Sequence, residues 1–220
     1  MTRLWIVCRR ALPSFLSIAV VFAIGCGAPT EYDVVLRGGT VYDGSGDDPF
    51  VGDVAIDDDS IVALGDIGRA AGRTEIDATG LAVAPGFVNM MCWANESLIE
   101  DGRSQSDIRQ GVTLEILGEG DSMGPLNDEM KALMLDHQGD IKYDIEWTTL
   151  DQYLVYLEKR GVSPNVASFI GSGTPREYVI GHEDRPPTAE ELDQMRALVR
   201  QAMEEGALGV ASALIYPPGS

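Results

Sequence analysis

Ala82-Val83-Ala84-Pro85-Gly86-Phe87-Val88-Asn89-Met90-Met91-Cys92-Trp93 is the stretch on which the reading of this chain turns. A short apolar run enters Pro85-Gly86, a second leaves it, and from Ala94 the sequence becomes polar. Pro-Gly is strong local punctuation, so the stretch is expected to convert one kind of architecture into another. Before it the chain reads as short strands with tight turns. After it, strands alternate with helices.

Upstream, Tyr32-Asp33-Val34-Val35-Leu36-Arg37 carries the aromatic and β-branched residues that suit a strand. Gly38-Gly39 reads as a turn, and Thr40-Val41-Tyr42 as the returning strand. Asp43-Gly44-Ser45-Gly46-Asp47-Asp48-Pro49 is a loop by composition. Asp53-Val54-Ala55-Ile56 and residues 60–65 flank Asp57-Asp58-Asp59, a second hairpin pattern. An acidic triplet raises the question of calcium, but a solvated hairpin tip accounts for it better. Thr74-Glu75-Ile76-Asp77-Ala78 is a further strand, and Thr79-Gly80 turns into the central stretch. The expectation is a small sheet of hairpins over residues 32–80.

Downstream, Ser106-Asp107-Ile108-Arg109-Gln110-Gly111 reads as a short helix closed by glycine. Val112-Thr113-Leu114-Glu115-Ile116-Leu117-Gly118 is the next strand, with Glu119 in the loop at its C-terminal end. Thr149 and Gln152 have capping-box spacing, and Leu150, Tyr153, Leu154 and Leu157 recur at helical period. Residues 165–171 predict a third strand. Thr188 and Glu191 form a second capping box, followed by Leu192, Met195, Leu198, Val199 and Ala202 as a buried face. Residues 207–214 predict a fourth strand. Strand–helix alternation implies parallel strands and an α/β class.

The 220 residues are 45% hydrophobic and 23% charged, an ordinary globular balance. The formal net charge of -19 argues against nucleic acid as a partner, since that needs a basic surface. Three cysteines are too few for a disulfide framework. Cys92, alone in the body of the chain, reads as a small apolar core residue. His137 and His182 are the two histidines, far apart and without ligand spacing.

Residues 1–25 carry Arg3, Arg9 and Arg10, no acid, and a mostly apolar run from Leu12 to Ile24. A basic start, a short apolar segment and small residues after it predict a secretory signal peptide. Ala23-Ile24-Gly25-Cys26 resembles a bacterial lipobox in which Cys26 becomes the lipidated first residue of the mature chain. Ile24 departs from the usual small residue, so plain secretion is the alternative. Residues 26–31 then form a linker. The expected location is the periplasm or cell envelope of a bacterium, with membrane contact only through the lipid anchor.

Two longer stretches carry a family resemblance. Asp33-Val34-Val35-Leu36-Arg37-Gly38-Gly39-Thr40-Val41-Tyr42-Asp43-Gly44 resembles the opening of amidohydrolases. Ile76-Asp77-Ala78-Thr79-Gly80-Leu81-Ala82-Val83-Ala84-Pro85-Gly86-Phe87 resembles their entry to the first barrel strand. Gly206-Ala207-Leu208-Gly209-Val210 with Leu214-Ile215-Tyr216-Pro217-Pro218-Gly219 is similar to the N-acyl-D-amino-acid deacylase, or D-aminoacylase, branch. Asp184-Arg185-Pro186-Pro187-Thr188 with Glu190-Glu191-Leu192 supports it.

The resemblance implies a TIM-type (β/α)8 barrel of which residues 81–220 are the first half, with residues 32–80 part of a β-sandwich. It implies a hydrolase of non-peptide C–N bonds in a small-molecule amide substrate, which the leader would make an exported one. The chemistry of that family uses a divalent metal, such as zinc, that activates water at the C-terminal mouth of the barrel. This chain departs from the pattern there. The His-x-His of the first strand is replaced by Met91-Cys92-Trp93, and the preceding Asp by Asn89. Gly120 stands at the position of the branch's Cys ligand. Glu119 beside it is the candidate ligand to a single ion, and Tyr216 matches a tyrosine that contacts the carboxylate end of the substrate. Met91 and Trp93 are expected to narrow and dry the mouth. The family's remaining ligands and its catalytic Asp would lie beyond Ser220. Two alternatives stand beside this reading: a binding protein that keeps the scaffold without chemistry, and a partial chain that does nothing alone.

Overall fold

The computed structural model describes residues 31–215, so the leader, Cys26 and Tyr216 lie outside the described residues. The chain divides into two compact units, one ending at Val83 and the other beginning at Ala84. The central stretch is therefore shared, with Ala82-Val83 a strand of one unit and Phe87-Val88-Asn89 a strand of the other.

The first unit holds β1 (Glu31–Val41), β2 (Phe50–Asp57), β3 (Ser60–Gly65), β4 (Ala71–Asp77) and β5 (Ala82–Val83). They form one sheet in the order β3-β2-β1-β4, with β5 also on β1. β1 pairs antiparallel with β2, and β2 with β3. β4 and β5 run parallel to β1, so the sheet is mixed rather than built of hairpins. The turn expected at Gly38-Gly39 is instead a bulge inside one continuous strand. Leu36 pairs with Val54 and Gly39 with Gly52, which sets Arg37 and Gly38 opposite Asp53 alone. The Asp53 carboxylate holds the bulge, accepting from Gly38 N at 2.9 Å and from Arg37 Nη1 at 3.0 Å. Gly38, at φ +65°, supplies the left-handed backbone. Val35, Val41, Val54, Ala55 and Ala78 are buried. The acidic triplet is a hairpin tip, with Asp58 at φ +51° and its N–H on Asp33 Oδ2 at 2.8 Å.

The second unit contains β6 (Phe87–Asn89), α1 (Asn95–Glu100), α2 (Gln105–Ile108), β7 (Val112–Leu117), α3 (Asp128–His137), α4 (Leu150–Arg160), β8 (Asn165–Ser168), β9 (Ile170–Gly171), α5 (Gly173–Ile180), α6 (Ala189–Glu204) and β10 (Val210–Ala211). β6, β7 and β8 form a parallel sheet, and β10 pairs parallel with β9. The single strand expected over residues 165–171 changes neighbours at Phe169. Phe169 N bonds Leu117 O on one side, and Ile170 N bonds Gly209 O on the other. The fourth expected strand shrinks to Val210–Ala211.

Both capping boxes form. Thr149 accepts from Gln152 N and Thr188 from Glu191 N, with the reciprocal Gln152 and Glu191 bonds in place. Arg185 grips Glu191 through both oxygens at 2.7 Å and holds its carboxyl down at about 2. On α4, Leu150, Tyr153 and Leu157 face inward as the spacing predicts. On α6 the inward face is narrower: Ala202 is buried, while Leu192 at the first turn is exposed.

The core of this unit centres on Trp147. Its indole N–H donates to Met123 O at 2.6 Å, and its ring lies 6.2, 5.2 and 5.0 Å from those of Tyr143, Tyr153 and Tyr156. Leu98, Leu117, Leu126 and Ile170 complete the apolar cluster. Aromatic pairs at these separations add about 0.5–1.5 kcal/mol each beyond their area burial.

Candidate functional site

Met91, Cys92 and Trp93 follow β6 and stay beside β7, because Cys92 N donates to Ile116 O at 2.7 Å. One backbone hydrogen bond thus ties the segment back to β7 after the turn at Met90-Met91. Side chains alternate along it. Met91 is 52% exposed, Cys92 turns inward and Trp93 is 69% exposed. Met91 has φ +54°, the left-handed region that a Cβ disfavours.

Glu119 lies two residues past β7, partly exposed. Trp93 Nε1 donates to its Oε2 at 3.0 Å. Among the described residues, Oε1 receives no hydrogen bond. The next strand ends meet the same loop. Gly173 N donates to Gly120 O at 2.8 Å, and Ser172 N to Ala211 O at 2.8 Å. Trp93, Glu119, Ser172 and Ala213 are therefore gathered at the C-terminal ends of consecutive parallel strands. Gly120, at φ +71°, has Ala213 Cβ 3.0 Å from where its own Cβ would stand. A cysteine at this position would meet both backbone strain and crowding.

A buried polar layer lies beneath. Glu115 on β7 is 0% exposed. Ser104 Oγ donates to its Oε1 at 2.6 Å, and the Cys92 thiol approaches Oε2 at 3.5 Å. Burial, reinforced by the Glu115 carboxylate, pushes the Cys92 thiol up to about 11. That makes Cys92 a poor nucleophile and agrees with its reading as a packing residue. Asn89 Nδ2 donates to Asp107 Oδ1 at 2.9 Å, so the residue at the family's Asp position braces α2.

Among the described residues, no group of three or more His, Cys, Asp or Glu side chains is placed to hold a metal ion. His182 sits by Glu177, with Nε2 3.2 Å from Oε1, and His137 lies 4.0 Å from Asp136. Burial raises the Asp121 carboxyl, two residues past Glu119, and nearby His182 opposes that rise. Among the described residues, the side chains of Met91 and Trp93 are open to solvent. Two features escaped the sequence reading: the Trp93–Glu119 bond and the buried Glu115. The signal for the second was a carboxylate inside the apolar run Val112-Thr113-Leu114-Glu115-Ile116-Leu117. The first required knowing that Cys92 is hydrogen-bonded back to β7 after a turn.

No family model matches the chain. It is similar to D-aminoacylase of Alcaligenes xylosoxydans xylosoxydans, 33% identical over 193 residues that cover 86% of this chain and 39% of the relative. N-acyl-D-aspartate deacylase of the same organism is 34% identical over 194 residues, covering 88% and 39%. Among solved structures, a D-aminoacylase that defines a novel subset of amidohydrolases superposes with a TM-score of 0.73 at 32% identity, over 86% of this chain and 40% of the other. N-acyl-D-glutamate deacylase from Bordetella bronchiseptica, complexed with zinc and a phosphonate mimic of the tetrahedral intermediate, gives 0.75 at 28% identity, with the same coverage. The chain is a homologue of the D-aminoacylase-type amidohydrolases. It spans about two fifths of the length of the relatives it matches, 39% for both curated enzymes.

Proposed function

We propose that this chain is part of a hydrolase of the N-acyl-D-amino-acid deacylase type, cleaving the amide of a small N-acyl amino acid. The observation that carries the reading is identity of 33–34% to two such enzymes across 86–88% of the chain. In this reading β6, β7, β8–β9 and β10 are the first strands of a (β/α)8 barrel. Their gathered C-terminal ends then belong to its mouth, where such barrels carry their sites. The sheet of β1 to β5 corresponds to part of the companion sandwich. The leader directs export, and Cys26 carries a lipid.

The relatives include a D-aminoacylase with a binuclear metal centre and a deacylase holding zinc. The described residues do not fit such a centre, because Met91 and Trp93 offer no imidazole and no three His, Cys, Asp or Glu side chains among them are grouped to hold an ion. A divalent ion, if the full-length protein holds one, draws one carboxylate from this region, Glu119, and its other ligands from elsewhere. What these residues do themselves is narrower. Glu119 presents an acceptor oxygen at the strand ends, suited to an amide N–H or a proton in transit. Tyr216 is assigned the carboxylate end of the substrate.

The full-length protein that contains this chain is incubated with N-acyl-D- and N-acyl-L-amino acids, with and without EDTA, and free amino acid is measured beside metal content. Release from the D-series alone supports the reading. No release from either, by a folded and metal-supplemented protein, overturns it.

A further inference from the structure

We propose that Trp93 is a positioning residue that fixes how Glu119 faces its ligand, an inference resting on the functional reading of the strand ends above. Three observations meet here. The indole N–H is committed to Oε2 of Glu119 at 3.0 Å. The backbone that carries Trp93 is tied to β7 by the Cys92 N to Ile116 O bond at 2.7 Å, which keeps the indole beside the residue that follows the same strand. The Trp93 ring nonetheless remains largely exposed, so burial of its apolar surface does not explain where it sits.

A carboxylate on a flexible two-carbon stem has several rotamers, and a charge-assisted hydrogen bond selects among them. With the indole on Oε2, Oε1 is the Glu119 oxygen that accepts no hydrogen bond among the described residues, and it is the one turned to meet a ligand first. Glu119 acts as a one-oxygen acceptor and not as a chelating pair. The indole thus does more than stand where an imidazole is expected. It converts the neighbouring carboxylate from a two-toothed ligand into an oriented acceptor, with an aromatic face alongside that suits an apolar acyl group.

The test uses the full-length protein. The Trp93 indole N–H resonance is assigned from its loss in Trp93→Phe and followed in Glu119→Gln and Glu119→Ala. The amide oxygen of Gln still accepts, so the resonance keeps its hydrogen-bonded position there and leaves it in Glu119→Ala. Against N-acyl-D-amino acids, Trp93→Phe retains the ring but lowers kcat about tenfold or more, the worth of a hydrogen bond to a charged group, with KM nearly unchanged. An indole resonance indifferent to Glu119→Ala, or a Trp93→Phe enzyme with full kcat, overturns the proposal. A folded wild-type full-length protein that hydrolyses no such substrate overturns the functional reading and the catalytic use of the pair. In that case the spectra still decide whether the indole fixes the carboxylate.

Discussion

Trp147 and Trp93 are the same side chain put to opposite uses. Trp147 is 1% exposed, donates to a backbone carbonyl and is flanked by three tyrosine rings. Trp93 is 69% exposed and donates to a carboxylate at the ends of the parallel strands. The first is held by packing and would be replaced only at the cost of a cavity. The second is held by one polar contact and little buried surface. The scaffold and the site are thus built on separate residues. That separation explains how a chain can match D-aminoacylase structures at a TM-score of 0.73 while presenting Met and Trp where histidines are expected.

The sharpest way to break this contrast is to truncate both rings. Trp147→Ala is expected to cost about 3–5 kcal/mol, the range for removing a buried aromatic. Trp93→Ala is expected to stay within about 0.5 kcal/mol of the wild type, as for exposed positions without special roles in packing. Urea unfolding followed by circular dichroism measures both. Comparable losses at the two positions would mean that Trp93 is part of the core.

A second effect separates the faces of a single segment. Met91 and Trp93 point to solvent, while Cys92 between them turns toward Glu115. With its thiol raised from 9.0 to about 11, Cys92 holds a thiolate population about a hundredfold below that of an ordinary cysteine at neutral pH. The sign is that of an acid whose charged form is penalised by burial: the neutral thiol persists as pH rises until about 11. Alkylation by iodoacetamide, read at the Cys92 peptide by mass spectrometry, is therefore expected to climb steadily between pH 8 and 10 without levelling, by about tenfold per pH unit. A plateau close to the ordinary value would show a thiol free of Glu115 and open to water.

These contrasts also mark what the sequence could say. Its clearest statements were local and chemical. Thr149 with Gln152 and Thr188 with Glu191 each placed a helix start, because a capping box satisfies backbone donors within four residues and needs no distant partner. Parallel pairing followed from strand–helix alternation. The errors arose where the same residues serve two geometries. Gly38-Gly39 suits a turn or a bulge, and the choice was made by Asp53, 15 residues from Gly38, whose carboxylate holds the bulge. β8 and β9 read as one strand because their composition is continuous, while their partners differ. α3 and α5 carry little apolar periodicity; α5 buries Gly173, Thr174 and Pro175 at its start, residues that advertise a loop. At the site, Glu119 was legible as a carboxylate past a strand end. Its bond to Trp93 was not, because it depends on a turn at Met90-Met91 and a backbone bond that ties Cys92 back to β7.

The smallest expected effect concerns the turn that brings Trp93 to Glu119. Met91 sits at φ +54° with its side chain 52% exposed, so it bears a left-handed backbone without a compensating burial. A non-glycine residue there costs about 1–2 kcal/mol, and glycine recovers that at about 0.5–1 kcal/mol of additional chain entropy. Met91→Gly is therefore expected to raise stability by about 0–1.5 kcal/mol, an increment visible as a small shift of the urea midpoint at unchanged slope. If the strand-end segment is as separate from the core as Trp93 suggests, that gain comes with no change elsewhere, and the Trp93 indole resonance keeps its position. A loss of stability would show instead that the Met91 side chain packs on a surface that its exposure does not reveal, and the division between scaffold and site would have to be redrawn one residue earlier.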